Sequence, residues 1–207
     1  MAFVTAAEVR ELSLRLTSVS EHDAILTTLI TRCERAIAKF CGYPATMEVT
    51  SYTDYLGDPD DFGVADWDDY EIDRTRCCTR YGPIVAVTSC WEDAGWDWDN
   101  GTEVDPDDLV QLGPRELGRK DGGRFIYRPR ATRLIYTAGY ATDADEVDDL
   151  KAAIIEWVLY VFNLRGDRRG KSGTSQQSLN VSFRPETMPA SVRQLVQPFR
   201  LPHSLVA

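Results

Sequence analysis

Histidine is scarce: the 207 residues hold only His22 and His203. Neither has a cysteine or aspartate partner at ligand or catalytic spacing, so metal ligation and histidine-based nucleophilic catalysis lack their parts. The five cysteines (Cys33, Cys41, Cys77, Cys78, Cys90) are an odd number without CxxC spacing. The start, MAFVTAAEVR, has neither a basic segment nor a long apolar run, so no signal peptide is expected. Reduced thiols in a cytosol are the expectation. Long hydrophobic runs are missing too. The longest, Ala152 to Phe162, is interrupted by Glu156 and is too short to span a bilayer. Bases are outnumbered, 23 Lys+Arg against 33 Asp+Glu, a net charge of −10. That disfavours nucleic-acid binding through the whole surface, because phosphate contacts need positive charge. Aromatics are plentiful, with 5 Trp, 9 Tyr and 7 Phe, which excludes wholesale disorder. A chain of this length buries roughly 70% of its unfolded surface as one domain, or one domain with an appendage.

The net charge conceals an asymmetry. Residues 1–164 carry −15, and residues 165–200 carry +5 from seven bases and two acids. Asp54 to Asp73 holds nine acids and no base, and Glu92 to Asp108 holds eight and no base. Between Arg115 and Arg133 the sign reverses, with seven bases and two acids. Blocks of one sign repel internally and suit loops or solvated strand faces.

Thr5-Ala-Ala-Glu8 is a capping box followed by Val9, Leu12 and Leu16 at helical spacing, which predicts a helix over 5–17. Asp23 near a second N-terminus, and a stripe of Leu26, Ile30, Cys33, Ile37 and Phe40, predict a helix over 21–41, stopped by Gly42 and Pro44. The middle, 46–140, reads as antiparallel β. Candidate strands are Met47–Tyr55, Ile84–Trp91, Leu109–Leu112, Gly123–Arg128 and Thr132–Thr137, with long acidic loops carrying Trp67, Trp96 and Trp98 between them. A third helix, 145–165, starts in five acids and closes at Arg165-Gly166. Its core positions are Leu150, Ile154, Trp157, Val158 and Val161. It is apolar almost all round, so it must be covered on every side, by the rest of the fold or by another subunit. Gly166 to Ser178 is Gly/Ser-rich and basic; Leu179–Phe183 alternates like a short strand; Pro189 opens a short helix. The expected fold class is α+β. A body of 1–166 is followed by a C-terminal arm, 167–207, with its own small apolar face.

Two motif imitations fail on spacing. Gly166 and Gly170-Lys171-Ser172 have three residues between the glycines where a phosphate loop has four, and they follow a helix instead of a strand. Asp97 to Asp108 places Gly at position 5, where a calcium loop needs it at 6, and Asp where it needs Glu. A loose cation site there, or among Asp58, Asp60, Asp61, Asp66, Asp68 and Asp69, stays open beside plain turn chemistry. No catalytic constellation survives, so no enzyme, cofactor or metal is expected.

The order of parts carries more information than any site. A capped hairpin ends in Ala36-Ile-Ala-Lys-Phe-Cys-Gly-Tyr43. A β middle contains Tyr81-Gly-Pro-Ile-Val-Ala-Val-Thr-Ser89 and ends in Thr132-Arg-Leu-Ile-Tyr-Thr-Ala-Gly-Tyr140. The acid-initiated helix Asp149–Arg165 follows, and the close is Met188-Pro-Ala-Ser-Val-Arg-Gln-Leu-Val-Gln-Pro-Phe-Arg200. This resembles the head–tail connector (adaptor) proteins of tailed double-stranded DNA bacteriophages, over nearly the whole chain. The acidic loops are longer than that pattern. The resemblance implies a virion protein of the phage neck, made in the host cytoplasm. It implies self-association into a ring, commonly a dodecamer, below the portal protein, through which DNA passes without specific binding. The ring would meet a stopper or tail-completion protein on its other side. It also implies that the C-terminal segment docks on the portal, here Val192, Arg193, Leu195, Val196, Phe199 and Arg200. Two opposite-signed patches would suit a ring contact, with Asp58, Asp60, Asp61, Asp66, Asp68, Asp69, Asp97 and Asp99 facing a neighbour or the lumen. Those signs would equally suit neighbouring strands of one sheet. The alternatives are another small neck protein, stopper-like, and a weak nucleic-acid-binding module using the basic arm.

Overall fold

A computed structural model describes residues 2–12, 22–57, 63–64, 72–126, 128–169 and 188–201. The fold is α+β. It comprises two compact units: Met1–Thr46 with Thr142–Arg200, whose described elements are helices, and Met47–Ala141 with Leu201–Ala207, whose described elements are strands and one 3-10 turn. The helical unit is thus assembled from both ends of the chain, and residues 189–200 belong to it.

In the helical unit, α1 (Ala6–Glu11) opens on the capping box: Glu8 N–H donates to Thr5 Oγ1 (3.3 Å) and Thr5 N–H to Glu8 Oε2 (2.6 Å). Bonding to Thr5 holds the Glu8 carboxyl below its ordinary range. The second half of the expected first helix lies outside the described residues. The next helix, α2 (Asp23–Cys41), buries Leu26, Leu29, Ile30, Cys33, Ile37, Ala38 and Cys41 along one stripe. Asp23 pairs with Arg10 at 3.2 Å. Gly42 ends α2 with φ 96°, and Tyr43 N–H reaches back to the Ala38 carbonyl (2.9 Å), a left-handed cap that glycine adopts without strain.

The third helix, α3 (Asp148–Arg169), is preceded by a 3-10 turn at Asp145–Val147 and differs from expectation in two ways. It continues through Gly166 to Arg169, because an interior glycine costs only about 1 kcal/mol and bases suit the negative end of the dipole. Nor is it covered all round. Leu150, Ala153, Ile154, Trp157, Val158 and Val161 form one buried stripe, whereas Ala152 is exposed and Tyr160 is 44% exposed. The fourth helix, α4 (Ala190–Val196), packs on α3 and runs into a 3-10 turn, Gln197–Phe199.

In the β unit, a four-stranded antiparallel sheet has the order β1-β9-β5-β6, formed by β1 (Thr50–Leu56), β5 (Ile84–Glu92), β6 (Thr102–Val104) and β9 (Thr132–Ala138). A second sheet orders β4 (Arg76–Cys78), β8 (Glu116–Arg119) and β7 (Leu109–Gly113), and β2 (Gly63–Val64) pairs with β3 (Ile72–Asp73). One core joins the two larger sheets: Leu56, Ile84, Cys90, Val104, Leu134 and Tyr136 from the first, Cys77, Leu109 and Leu117 from the second, with Phe125. The alternation of β9, buried at Thr132, Leu134, Tyr136 and Ala138, states the register plainly, since a slip by one would invert every side chain. Gly139 follows with φ 127°, and a Cβ there would sit 2.4 Å from the Glu48 carbonyl oxygen. Glycine in the Tyr-Thr-Ala-Gly-Tyr segment is therefore a steric requirement.

Among the described residues of the expected strand Gly123–Arg128, none is in a strand. Gly122 has φ 68°, Asp121 takes the Gly123 N–H (2.8 Å), and Phe125 turns inward with a single bond to the Arg74 carbonyl (2.8 Å).

Candidate interaction site

The apolar side of α4 faces its own unit. Val192 and Val196 are fully buried and Phe199 nearly so. Cys41 Sγ donates to the Val196 carbonyl at 3.7 Å, and Ser191 Oγ bonds Glu156 on α3. The Arg200 guanidinium lies 5.0 Å from the centroid of Phe40 on α2, a cation–π contact. This corrects the expectation of a free docking stripe: Val192, Val196 and Phe199 are core residues, because α3 supplies the cover that an arm alone would lack. Leu195 is half-buried. Arg193, with Gln194, Gln197 and Ala190, lines an open pocket of about 390 Å³ on the outer side. The helix therefore offers a polar, singly basic face.

The acidic loops divide. Asp58, Asp60, Asp61, Asp66, Asp68 and Asp69 lie outside the described residues. The loop between β5 and β6 is ordered by its own carboxylates. Asp93 takes the N–H groups of Gly95 (2.8 Å) and Asp97 (2.5 Å), Asp97 takes Asn100 Nδ2 (2.8 Å), and Asp99 pairs with Arg133 (3.2 Å). These are turn contacts. Glu92, counted with the acidic block, is buried: it pairs with Arg119 (3.2 Å) and accepts from Ile126 N–H (3.1 Å) and Thr132 Oγ1 (3.4 Å). Arg119 also holds Asp121 (3.0 Å), which lowers the Asp121 pKa and raises that of Arg119. Arg76 pairs with Glu116 (2.9 Å) across β4 and β8. Much of the opposite-signed pairing is thus internal to the β unit.

A second buried carboxylate, Asp54, accepts from Tyr136 Oη (2.7 Å) and Arg80 N–H (2.7 Å), and Tyr136 Oη accepts from Tyr81 N–H (3.1 Å). Burial first, then the Asp54 charge, drives the Tyr136 phenol pKa well above its usual value. Tyr136 is therefore a fixed donor with no part in proton transfer near neutrality. The thiols of Cys33, Cys41 and Cys90 are pushed up to about 12 by burial, so they are thiols, not thiolates, and act as small apolar side chains.

An arrangement the sequence reading missed lies where the long loop meets β1. Trp98 packs against Tyr55 with centroids 4.8 Å apart and the rings tilted by 51°. Arg133 lies 5.9 Å from the Trp98 ring, Arg130 5.0 Å from the Tyr55 ring and Arg128 4.9 Å from the Trp96 ring. The Trp96 indole N–H donates to the Pro129 carbonyl (2.8 Å), and Trp96 remains 51% exposed. Trp96 and Arg130 both hold positive φ, 68° and 59°. Gly57, just past β1, admits the Arg128 carbonyl so closely that a Cβ would stand 1.9 Å from it. The signal available beforehand was Trp96-Asp-Trp98 beside Arg128-Pro-Arg130, two loops 30 residues apart whose meeting depends on the β5–β9 register.

Among the described residues no helix is long and apolar enough to cross a membrane. Neither a family model nor a curated protein matches the chain. Its fold matches solved structures. One is from the neck of an empty gene transfer agent (GTA) particle, computed with C6 symmetry: 17% identity, TM-score 0.53, covering 99% of this chain and 92% of that one. Another is from the neck of a native GTA particle, computed with C12 symmetry: 17% identity, TM-score 0.50, covering 99% and 96%. End to end, the chain shares the fold of a protein from the neck of a phage-like particle.

Proposed function

We propose that this chain is a structural neck protein of a tailed phage or phage-like particle. Within the neck it acts as the head–tail adaptor, a ring below the portal that extends the DNA channel and meets the next neck or tail component. The observation that carries the reading is the fold match, which spans nearly all of both chains. The order of parts in the sequence supports it independently. The symmetry of both matched particles favours self-association into a ring. The chemistry agrees: the buried carboxylates Asp54 and Glu92 are engaged by Tyr136, Arg80, Arg119 and Thr132, and an interior of that kind builds a scaffold.

Portal docking belongs to the outer face of α4, through Arg193 and Leu195, with Gln194 and Gln197 beside them. Val192, Val196 and Phe199 hold that face in place, and Arg200 is fixed on Phe40. Acid on the DNA-facing surface would let DNA pass, because basic walls gain affinity by releasing counterions. The test is a pull-down with the cognate portal. Arg193→Glu should abolish association while far-UV circular dichroism stays unchanged. Full association by this variant would remove α4 from the docking surface.

A further inference from the structure

We propose that the β unit carries both halves of a head-to-tail contact between copies of this chain. The arginine–aromatic patch beside β1 of one copy meets the acidic edge at β6 of the next. This rests on the ring reading above and assigns its lateral contact.

The first half is the patch built from Tyr55, Trp96, Trp98, Arg128 and Arg130. Trp, Tyr and Arg are the residues that dominate binding energy at protein interfaces. Arg128 and Arg130 are exposed and have no acidic partner among the described residues; their guanidinium groups lie against the ring faces of Trp96 and Tyr55. Positive φ at Trp96 and Arg130 costs energy at two non-glycine positions, and such strain concentrates where a side chain is held for a task. The patch is also pre-organised, by the Trp96 indole on the Pro129 carbonyl and by the close approach at Gly57, so little ordering remains to be done on binding.

The second half lies at the opposite edge of the same sheet. Glu103 on β6, and Asp105, Asp107 and Asp108 at the adjoining 3-10 turn, are exposed; the Lys120 ammonium donates to the Asp107 carbonyl, and no carboxylate of the four is in an ion pair among the described residues, so the edge keeps a net negative charge. In the order β1-β9-β5-β6 the two edge strands are about 14 Å apart at the usual strand spacing. One copy thus carries a cationic aromatic patch, built from β1, the loop after β5 and the segment before β9, and a separate anionic patch at β6. Two different complementary patches make a heterologous contact, which propagates and closes into a ring when the rotation permits.

A second copy is favoured over nucleic acid as the occupant. The same sheet supplies the complementary carboxylates at β6, and the chain's net charge of −10 disfavours a polyanion.

The test uses sedimentation velocity on the full chain over a concentration series at low salt. Two charge-reversed variants are compared with the parent: Arg128→Glu with Arg130→Glu, and Glu103→Lys with Asp107→Lys. The parent should self-associate. Each variant alone should associate roughly tenfold or more weakly, because like charges then face each other. An equimolar mixture of the two should recover, since alternating copies restore opposite charge at every contact. Failure of the mixture to recover, parental association by either variant, or a parent that stays monomeric throughout would overturn the contact. Loss of single-stranded DNA binding in the arginine variant with sedimentation unchanged would overturn it in favour of nucleic acid. The neck reading is tested separately by immunogold labelling of particles: label at the neck with no effect of these variants sinks only the contact, whereas label elsewhere sinks the neck role.

Discussion

The two units are held together by different physics. The helical unit closes on apolar stripes: Leu26, Ile30, Cys33 and Ile37 on α2, Leu150, Ile154 and Trp157 on α3, Val192 and Val196 on α4. The β unit also has an apolar core, but it buries Asp54 and Glu92 within it and satisfies each from residues distant in the chain. An apolar stripe tolerates many partners of similar shape. A buried carboxylate accepts only the arrangement that supplies its donors. The helical unit is therefore the robust half, and the β unit is the half whose detailed geometry is specified.

The comparison is broken most severely by emptying the cores. Ile154→Ala in the helical unit and Leu134→Ala in the β unit should each cost about 2–5 kcal/mol in chemical denaturation. Hydrogen exchange should show protection falling first in the altered unit. The polar interior is tested by Tyr136→Phe, which removes one donor to Asp54 and should cost about 1–3 kcal/mol. A loss as large as that of Leu134→Ala would mean the hydroxyl does more than satisfy Asp54. A smaller effect concerns alkaline pH. The folded chain keeps Cys33, Cys41 and Cys90 protonated up to about 12, against an ordinary value of 9.0, so above pH 9 the folded state binds more protons than the unfolded. Stability from these thiols is full below pH 9 and is lost as pH rises from 9 toward 12. Denaturant midpoints across that range should fall, and less steeply in Cys33→Ala. Smallest of all, Thr5→Ala should cost about 1 kcal/mol, confined to α1, because it removes one half of the capping box.

The helices were legible because their signals are local. The 3.6-residue stripe of α2 and the Gly42 stop fall within one element, as does the Thr5–Glu8 box. The strand β5 was legible from its β-branched run, and β1, β7 and β9 were expected as candidate strands, with Arg128-Pro129-Arg130 marking the approach to β9. The short strands β4, β6 and β8, three or four residues each, are below the length at which alternation is readable. The contacts of Asp54 with Tyr136, 82 residues away, and of Trp96 with Pro129 depend on pairings that no local pattern encodes. The stripe of Val192, Val196 and Phe199 was visible as a stripe. An apolar stripe states that something covers it and does not say what; here it is α3. Gly166 reads as a stop by composition, yet a glycine ends a helix only when it takes a left-handed conformation, as Gly42 does.

The central claim is that the chain forms a ring in the neck, against the portal. Cryo-EM of the chain mixed with the cognate portal tests it most directly. The account predicts a closed ring of this fold on one end of the portal, coaxial with its channel, with α4 turned toward the portal. Portal particles with no added ring density, or with the chain bound as single copies away from the channel axis, would contradict it.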